Sequence, residues 1–278
     1  MRARIIFFTS TLAVLLLADF SGLSAKVSAQ KAKEKEQKNS RAEEIVEQAI
    51  NAYFPGSGRA GMYAIQRNGI LRGLVTLISP EGKREGKTVT KFIRKPLLSE
   101  DPLMIEVELP DVKYTIGFDG KQTWTLFNGQ TQLATPEIAS PFHASHAHSY
   151  EALLRYKENN CKLEFVGNDK ILTLDIDIVD LITPTGERTR YQINRRFSHI
   201  LYLEYETKAS PEAQPTKYRL AFSKFKLIQN TVIPSKTVVY ENGRQIEERT
   251  IVEAVFNVQL DDKAFKADAK ATDAAIKH

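Results

Sequence analysis

The stretch "LTLDIDIV" (residues 172–179) alternates apolar and polar side chains from its first position to Asp177. Successive side chains of a β-strand point to opposite faces, so this alternation predicts a strand with one apolar and one polar face. The apolar face contains Leu172, Leu174, Ile176 and Ile178. The other face begins with Thr173, Asp175 and Asp177, followed by Val179.

The same period of two continues through most of the chain after Gly61, with turn signals between the runs. These signals include Asp119-Gly120, Asn128-Gly129 and Asn242-Gly243, which are typical of tight hairpins. Short connections join antiparallel neighbours. We therefore predict a mainly β (α+β) fold, a curled antiparallel half-barrel of about 10–12 strands with helices covering its concave face.

One predicted helix precedes the strands and a second interrupts them. Ser40 and Glu43 match a capping box, and the apolar spacing of Ile45, Val46 and Ile50 predicts an amphipathic helix after it, which Pro55-Gly56 ends. A second helix is predicted over about residues 149–159, with Leu153 and Tyr156 on one side. The segment before it, "ATPEIASPF" (134–142), is interpreted as a proline-bounded loop.

The N-terminus is typical of a secretory signal peptide. Arg2 and Arg4 precede an apolar run over residues 5–17, and Val27-Ser28-Ala29 supplies small residues for cleavage near Ala29. No later stretch reaches the ~20 apolar residues of a spanning helix, so we expect an exported mature form without a membrane span. The predicted division is a signal peptide (1–29), a charged disordered linker (30–40), a half-barrel domain (41–266) and a flexible tail (267–278).

Composition and motifs argue against several classes of function. The net charge of +5 is mild and spread along the chain, so nucleic acid is not an expected partner. Gly56 to Gly61 spells G-x-G-x-x-G, but a predicted helix precedes it and a strand follows. A dinucleotide-binding loop has the reverse order. We interpret this segment as a connector and expect no cofactor.

Two further features could indicate an enzyme. Asp175 and Asp177 lie on one strand face about 6.6 Å apart, near the carboxylate separation of inverting glycosidases. Their face is opposite the aliphatic one, so we expect them to face water. Cys161 is the only cysteine and has no cysteine-protease signature around it, which favours a structural thiol. The sequence therefore predicts a protein that is not an enzyme.

The segment "SPFHASHAHSY" (140–150) contains three of the five histidines. His143, His146 and His148 could supply zinc ligands. On a helix, His146 and His148 would diverge by about 200°, so only an irregular loop could bring all three together. We interpret them as polar loop residues near the second helix, with a metal site as the alternative.

Four segments follow one another in an order that resembles a known family. They are "AEEIVEQAINAYFPG" (42–56), "YTIGFDGKQTWTLFNG" (114–129), "RTRYQINRRFSHILYLEYE" (188–206) and the closing strands from Tyr218 to Phe265. Together they resemble the LolA-like outer-membrane lipoprotein-sorting proteins, as a divergent member. Asn194 stands where an aspartate is common and Asn230 replaces the usual glycine. No specific cargo-gating arginine can be matched.

The resemblance implies an apolar concave face that holds acyl chains of lipoproteins or lipids under a helical lid, without catalysis. The implied function is that of a periplasmic carrier that transfers its cargo toward the outer membrane. Its partners would be an inner-membrane donor and an outer-membrane acceptor protein. Burial of hydrocarbon is strongly favourable, so a carrier that must release its cargo needs a lid that competes for the same cavity.

Candidate residues follow from this interpretation. The candidate cavity lining is Tyr114, Phe118, Trp124, Leu172, Leu174, Ile176 and Ile178. The candidate lid residues are Ile45, Val46, Ile50, Leu153 and Tyr156. Two other functions stay open: an envelope-stress sensor or regulatory binding module on the same fold, and a secreted metal-dependent hydrolase that uses His143, His146 and His148.

Overall fold

The computed structural model describes residues 18–208, 210, 212–260 and 262–267. The helices are α1 (Ala18–Tyr53), α2 (Gly58–Ile65), α3 (Pro136–Ala147) and α4 (Tyr150–Leu154), with 3₁₀ turns at Leu98–Glu100 and Asp262–Phe265. The first six strands are β1 (Asn68–Ser79), β2 (Gly82–Ile93), β3 (Leu103–Glu108), β4 (Lys113–Phe118), β5 (Thr123–Phe127) and β6 (Gln130–Leu133). The other seven are β7 (Lys162–Ile171), β8 (Leu174–Ile182), β9 (Arg188–Asn194), β10 (Ile200–Thr207), β11 (Thr216–Ile228), β12 (Thr231–Glu241) and β13 (Arg244–Phe256).

Within the described residues all strands form one sheet of 13 strands, in the order β6-β5-β4-β3-β2-β1-β13-β12-β11-β10-β9-β8-β7. Every neighbouring pair is antiparallel. The strands begin at the middle of the sheet, run out to β6, cross through α3 and α4 to β7, and return to β13 beside β1. The sheet is open, and the predicted class of a mainly β half-barrel with helices is confirmed.

The helices lie on one face of this sheet, called here the covered face. Its largest core, the packed region, joins α1, α2 and residues 152–156 to strands β7–β11. The buried apolar residues of its strands are Leu163, Val179, Leu181, Tyr191, Ile193, Ile200, Leu203, Tyr205 and Phe222. From the helices come Ala42, Ile45, Val46, Ala49, Ile50, Tyr53, Met62, Ala152, Leu153, Leu154 and Tyr156. The helical spacing of the α1 residues places them on one side of that helix, against the sheet.

Helix α1 is longer than the sequence predicts. It runs without interruption from Ala18, so the charged stretch 30–40, expected as a disordered linker, is helical. Ser40 lies inside the helix rather than at its start. Residues 1–17 of the predicted signal peptide and 268–278 of the predicted tail lie outside the described residues, and the proposed domain boundaries stay predictions. Within the described residues, no helix combines the length and hydropathy that a membrane span requires.

Two helices were missed by the sequence interpretation. The connector after α1 contains α2, which begins at Gly58. The segment interpreted as a proline-bounded loop (134–142) contains the first part of α3, with Pro136 in its first turn and Glu137 beside it. Proline is tolerated in the first turn because the missing N–H has no partner there, and an acidic residue favours the same end. These two signals predict a helix start, whereas Pro141 within α3 argues against a helix.

Candidate functional site

A cavity of about 210 Å³ lies between the covered face and the segment 136–151, called here the roof. Strands β1, β2, β3, β12 and β13 form its floor, and the roof with these strands is called the open region. The apolar lining residues are Leu71, Phe92, Leu103, Ile105, Pro234 and Ile251. The polar lining residues of the floor include Thr88, Thr90, Thr237, Arg249 and Thr250. The cavity is thus amphipathic.

The underside of the roof explains why this space is not filled. It contributes Ser145, His146, Ser149, Tyr150 and Glu151 to the cavity. Phe142 of the roof is buried among floor residues such as Phe92 and Leu103. Four of the five roof side chains that border the cavity are polar, and the two serines are short, so the roof adds little apolar volume at the cavity itself. In the packed region, α1 contributes aliphatic and aromatic side chains instead. The cavity exists because the two covering segments differ in chemistry.

A buried arginine ties the roof to the rest of the molecule. Arg94, just after β2, places its Nη2 2.8 Å from Oε1 of Glu151 at the end of the roof. The same nitrogen donates to Oε1 of Gln66 at 2.7 Å, and Nε2 of Gln66 donates to Oγ1 of Thr231 at 2.6 Å. Ion pairs of this kind hold geometry because leaving one charge buried alone is costly. The roof is therefore fixed at this point by a single chain of polar contacts.

A second buried pair lies under α4. Both guanidinium ends of Arg155 contact the carboxylate of Asp101, and its Nη2 also donates to the carbonyl of Lys95 at 2.5 Å. The backbone N–H of Lys95 donates to Oδ1 of Asp101 at 2.7 Å. Desolvation by burial is the largest influence on the guanidinium and acts to lower its pKa, but hydrogen bonding and attraction to Asp101 outweigh it and raise the pKa of Arg155. This pair fixes the connection between β2 and β3 beneath the helices.

The structure places the predicted lining residues of β4 and β5 on different faces. Phe118 is paired across the strands with Leu103 of the cavity floor, and Tyr114 follows the same alternation. Thr123 bonds to His143 of α3, so it also lies on the covered face. Trp124, the next residue, therefore points to the other face, where its Nε1–H donates to the carbonyl of Phe265 at 2.7 Å. Tyr114 and Phe118 lie on the covered face, and Trp124 does not.

On β8 the apolar face inferred from the sequence is the wrong one for a cavity lining. Val179 and Leu181 pack beneath α1, so Ile176 and Ile178 lie on the opposite face of the strand. Leu174 is exposed, and Leu172 lies in the turn before β8, almost fully in water. These four predicted lining residues are thus away from the cavity, because α1 covers the side of β8 that carries the aspartates.

The five predicted lid residues are all buried on the covered face. Ile45, Val46 and Ile50 of α1 pack with Leu153 and Tyr156 in the packed region. They cover strands β7–β11 and do not line the cavity. The segment that does cover the cavity is the roof, for which the sequence predicts a loop up to the histidines and a helix from about residue 149.

The aspartates and the cysteine do not form a reactive site. Asp175 and Asp177 share a strand face as predicted, but this face is the covered one. Asp177 is buried, with Arg195 Nε at 3.4 Å and Arg41 Nη2 at 3.9 Å from its carboxylate, so the expectation that it faces water is wrong. Desolvation raises the pKa of Asp177, and the two arginines oppose this. The Cys161 thiol lies 3.6 Å from the Asn159 carbonyl, and burial raises its pKa, which keeps it protonated.

The three neighbouring histidines are held by three different elements. His143 Nε2 lies 2.7 Å from Oγ1 of Thr123 on β5. His146 Nε2 lies 3.1 Å from the carbonyl of Leu98, which can only accept, so this nitrogen carries a proton. His148 Nδ1 lies 2.6 Å from Oγ1 of Thr189 on β9.

This arrangement removes the geometric basis of a zinc site. His143 and His146 lie within α3 rather than on a loop, and each of the three rings bonds to a partner on a different element. Among the described residues no group of three or more His, Cys, Asp or Glu side chains could hold a metal ion. Burial, with a smaller contribution from His146, lowers the pKa of His143. Burial also lowers the pKa of His148, with Glu187 opposing it.

A second recess, of about 850 Å³, lies over the outer ends of β9–β12. Its lining is polar, and its charges are largely satisfied within the protein. Arg188 and Arg190 both pair with the buried Asp180 at 2.8 Å, and Arg219 Nε lies 3.4 Å from Glu204. It offers little apolar surface for a hydrocarbon chain. The smaller cavity under the roof is the better candidate site.

Comparisons with known proteins support the fold. No family model and no curated protein matches the chain. A crystal structure of an outer membrane lipoprotein-sorting protein domain from Vibrio parahaemolyticus aligns with a TM-score of 0.56 at 12% identity, over 82% of this chain and 97% of that one. A DUF1329 family protein from Desulfovibrio piger gives 0.56 at 12% identity, over 81% and 97%. A LolA superfamily protein from Nitrosomonas europaea gives 0.54 at 11% identity, over 81% and 97%.

The agreement covers most of each chain, and at such low identity it is a statement about the fold. The chain has the LolA-like fold, and the resemblance predicted from its four ordered segments is confirmed at this level.

Proposed function

We propose that this chain, with its LolA-like fold, is a periplasmic carrier that binds acyl chains of lipids or lipoproteins under the roof and transfers them toward the outer membrane. The observation that supports this most is the amphipathic cavity on the covered face, left open by a roof whose underside does not fill it. The binding is non-catalytic. An inner-membrane donor and an outer-membrane acceptor are the proposed partners.

The size of the cavity indicates how binding would work. At about 210 Å³ it lies below the ~300 Å³ at which ligand pockets usually begin. A long acyl chain therefore enters only if the roof moves away from the floor. Each buried methylene contributes ~0.8 kcal/mol, so a sixteen-carbon chain contributes up to ~12 kcal/mol. The free energy needed to displace the roof reduces this total, which makes release possible.

The contacts of Arg94 contribute to the resistance of the roof, together with the bonds of its histidines. Glu151 is the last residue of the roof, and its ion pair with Arg94 has to break or shift before the roof can lift. The side chain of Arg94 is almost fully buried, so the pair is weakly screened by solvent. Cargo and the closed roof then compete for the same space.

The test is whether the protein holds hydrocarbon. Mass spectrometry of organic extracts of the protein, purified from its native host, is expected to detect co-purified lipid, and a fluorescent fatty acid is expected to bind the delipidated protein. Thr90→Phe places a ring on the cavity floor and is expected to abolish binding of the fluorescent fatty acid. Thr131→Phe adds the same ring on the edge strand β6, outside the cavity, and serves as the matched control.

Two results would count against the proposal. One is an absence of both co-purified lipid and fatty-acid binding. The other is equal binding by the Thr90→Phe and Thr131→Phe proteins, which would place the bound chain outside the cavity.

A further inference from the structure

Three turns lie together at one end of the sheet. They join β7 to β8 (residues 171–174), β9 to β10 (194–200) and β11 to β12 (228–231). These six strands are consecutive in the sheet and antiparallel, so their alternate turns share one end. Neighbouring strands are about 4.8 Å apart, which puts the three turns within about 20 Å of one another.

Each of these turns contains or directly adjoins an exposed large apolar side chain. Leu172 is 93% exposed, Leu227 at the end of β11 is 65% exposed, and Phe197 is 55% exposed. Leu172 also has a φ of +55°, a left-handed conformation that is unfavourable for leucine and typical of glycine. The turn therefore projects leucine into water where a small or polar residue would suit both the backbone and the solvent.

Turns at the other end of the same strands have the opposite character. The β8–β9 connection reads "TPTGE" (183–187) and the β12–β13 connection is Asn242-Gly243, as expected for turns that face water. Single exposed apolar residues are ordinary on protein surfaces. Three on alternate turns at one end, with polar turns at the other, form a pattern that solvent exposure alone does not explain.

Basic side chains surround the three apolar tips. They are Lys170, Arg195, Arg196, Lys224 and Lys226, all exposed, against the carboxylates of Asp169 and Asp175 in the same segments. Arg196, Lys224 and Lys226 form no ion pair within the described part of the chain. The guanidinium of Arg196 lies 5.1 Å from the ring centre of Phe197.

We propose that this end of the sheet, with Leu172, Phe197 and Leu227 at its tips, docks on the surface of an anionic phospholipid bilayer. The apolar tips would enter the boundary between headgroups and acyl chains, while the lysines and arginines contact lipid phosphates. A protein partner fits less well, because the apolar tips are separate and the intervening lysines are depleted from protein interface cores. The proposal concerns how the molecule meets a membrane and does not depend on whether it carries cargo.

The test is co-sedimentation with phospholipid vesicles. The protein is the full chain in the form that the cell produces after any processing. The vesicles contain phosphatidylcholine alone or an equal mixture with phosphatidylglycerol. Binding is expected to the mixed vesicles and to weaken with added salt. The variant Leu172→Ser/Phe197→Ser/Leu227→Ser is expected to bind the mixed vesicles at least ~10-fold more weakly. The variant Arg196→Gln/Lys224→Gln/Lys226→Gln is expected to lose a similar factor, since each basic residue near an anionic surface contributes to attraction.

The matched control removes the same kind of side chain elsewhere. Leu74, Leu133 and Val252 are 54%, 66% and 64% exposed and lie away from the three turns, so Leu74→Ser/Leu133→Ser/Val252→Ser is expected to bind like the parent protein. All variants share one N-terminus, so differences among them report on the substituted residues. Circular dichroism checks that each remains folded.

The proposal is overturned if the parent protein does not bind the mixed vesicles, or if the turn variant and the control variant bind equally. It is also overturned if the parent forms dimers in analytical ultracentrifugation that the turn variant abolishes, since the tips would then pair with a second copy.

Discussion

The packed region and the open region are built on the same sheet, from strands with the same alternation, yet one is a solid core and the other contains a cavity. In the packed region, Ile45, Ile50 and Tyr53 of α1 pack in one core with strand residues such as Leu203 and Tyr191. In the open region, the roof lays Ser145 and other polar side chains over a floor rich in threonine. Both regions thus rest on strands of one sheet, and the covering segment decides which region is filled.

This difference separates two tasks within one domain. Close packing of aliphatic and aromatic side chains is the main source of stability, because removal of apolar surface from water is the dominant favourable term in folding. A region left unfilled gives up part of that stability and gains room for a guest. The packed region can therefore stabilise the fold while the space under the roof stays unfilled.

The largest effect is expected from the buried pair that anchors the helices of the packed region. Arg155→Met leaves Asp101 buried without its partner, which is expected to lower the free energy of unfolding by ~3–5 kcal/mol. Urea denaturation followed by circular dichroism measures the change. The double variant Asp101→Asn/Arg155→Met removes both charges and is expected to recover most of the loss. A double variant as unstable as the single one would show that the charge pair is not the cause.

A comparison of equivalent truncations tests the two regions directly. Leu153→Ala in the packed region is expected to lower the free energy of unfolding by ~3 kcal/mol, within the range for fully buried leucines. Ile105→Ala on the cavity floor is expected to lower it by only ~1 kcal/mol, since this side chain borders an existing space. Equal losses at Leu153 and Ile105, measured by the same denaturation, would remove the distinction between the regions.

The link between the regions is tested by releasing the roof. Arg94→Gln breaks the ion pair with Glu151 and is expected to cost ~1–2 kcal/mol of stability, because Glu151 is partly accessible to water. It is also expected to accelerate uptake of a fluorescent fatty acid, measured by stopped-flow fluorescence. The control is Arg84→Gln, which removes an exposed pair with Asp111 far from the roof. Unchanged uptake in the Arg94 variant would argue against roof movement as the rate-limiting step.

The smallest expected effect is a dependence on pH through His148, where the roof meets the packed region. Its ring is stacked on Tyr205 with centroids 4.2 Å apart, and burial lowers its pKa. The folded protein therefore holds the proton less tightly than the unfolded chain. Stability from this group is intact above the ordinary pKa of ~6.5 and declines as the pH falls below it. Each unit by which the pKa is lowered corresponds to ~1.4 kcal/mol.

Thermal unfolding between pH 7 and pH 5 measures this dependence, and His148→Asn is expected to flatten it relative to the parent protein. His143→Asn in the open region is the matched comparison, since burial lowers the pKa of His143 as well. A pH profile that is the same in the parent and the His148 variant would contradict the assignment.

The fold could be predicted from sequence to a large extent, because alternation and turn signals are local properties. The strand at residues 174–182 follows from its side-chain period alone. Which face of this strand is covered does not follow from the period, because it depends on α1. Arg41 of α1 pairs with Asp177 from a distant part of the chain. An aspartate beneath a helix and an aspartate in water give the same local pattern. The four aliphatic residues were consequently assigned to the wrong side.

The candidate site was less predictable because its roof contains conflicting signals. Thr135-Pro136-Glu137 favours a helix start, while Pro141 a few residues later disfavours the helix interior. The roles of Arg94 and Arg155 have no local signature, since Glu151 and Asp101 reach them only through the folded chain. The histidines illustrate the same limit. Their spacing in sequence is tight, but their partners lie on three separate elements.

The pairing of β1 with β13 has a consequence for how the molecule forms. Leu71 lies opposite Ala254, so the central seam of the sheet joins positions about 180 residues apart. A pairing at this sequence separation forms slowly, since the entropy of closing a long loop is lost before the pairing is gained. During synthesis β1 and β12 emerge before β13, the strand that pairs with both of them. The two halves of the sheet, β1–β6 and β7–β12, are therefore joined only after this last strand is complete.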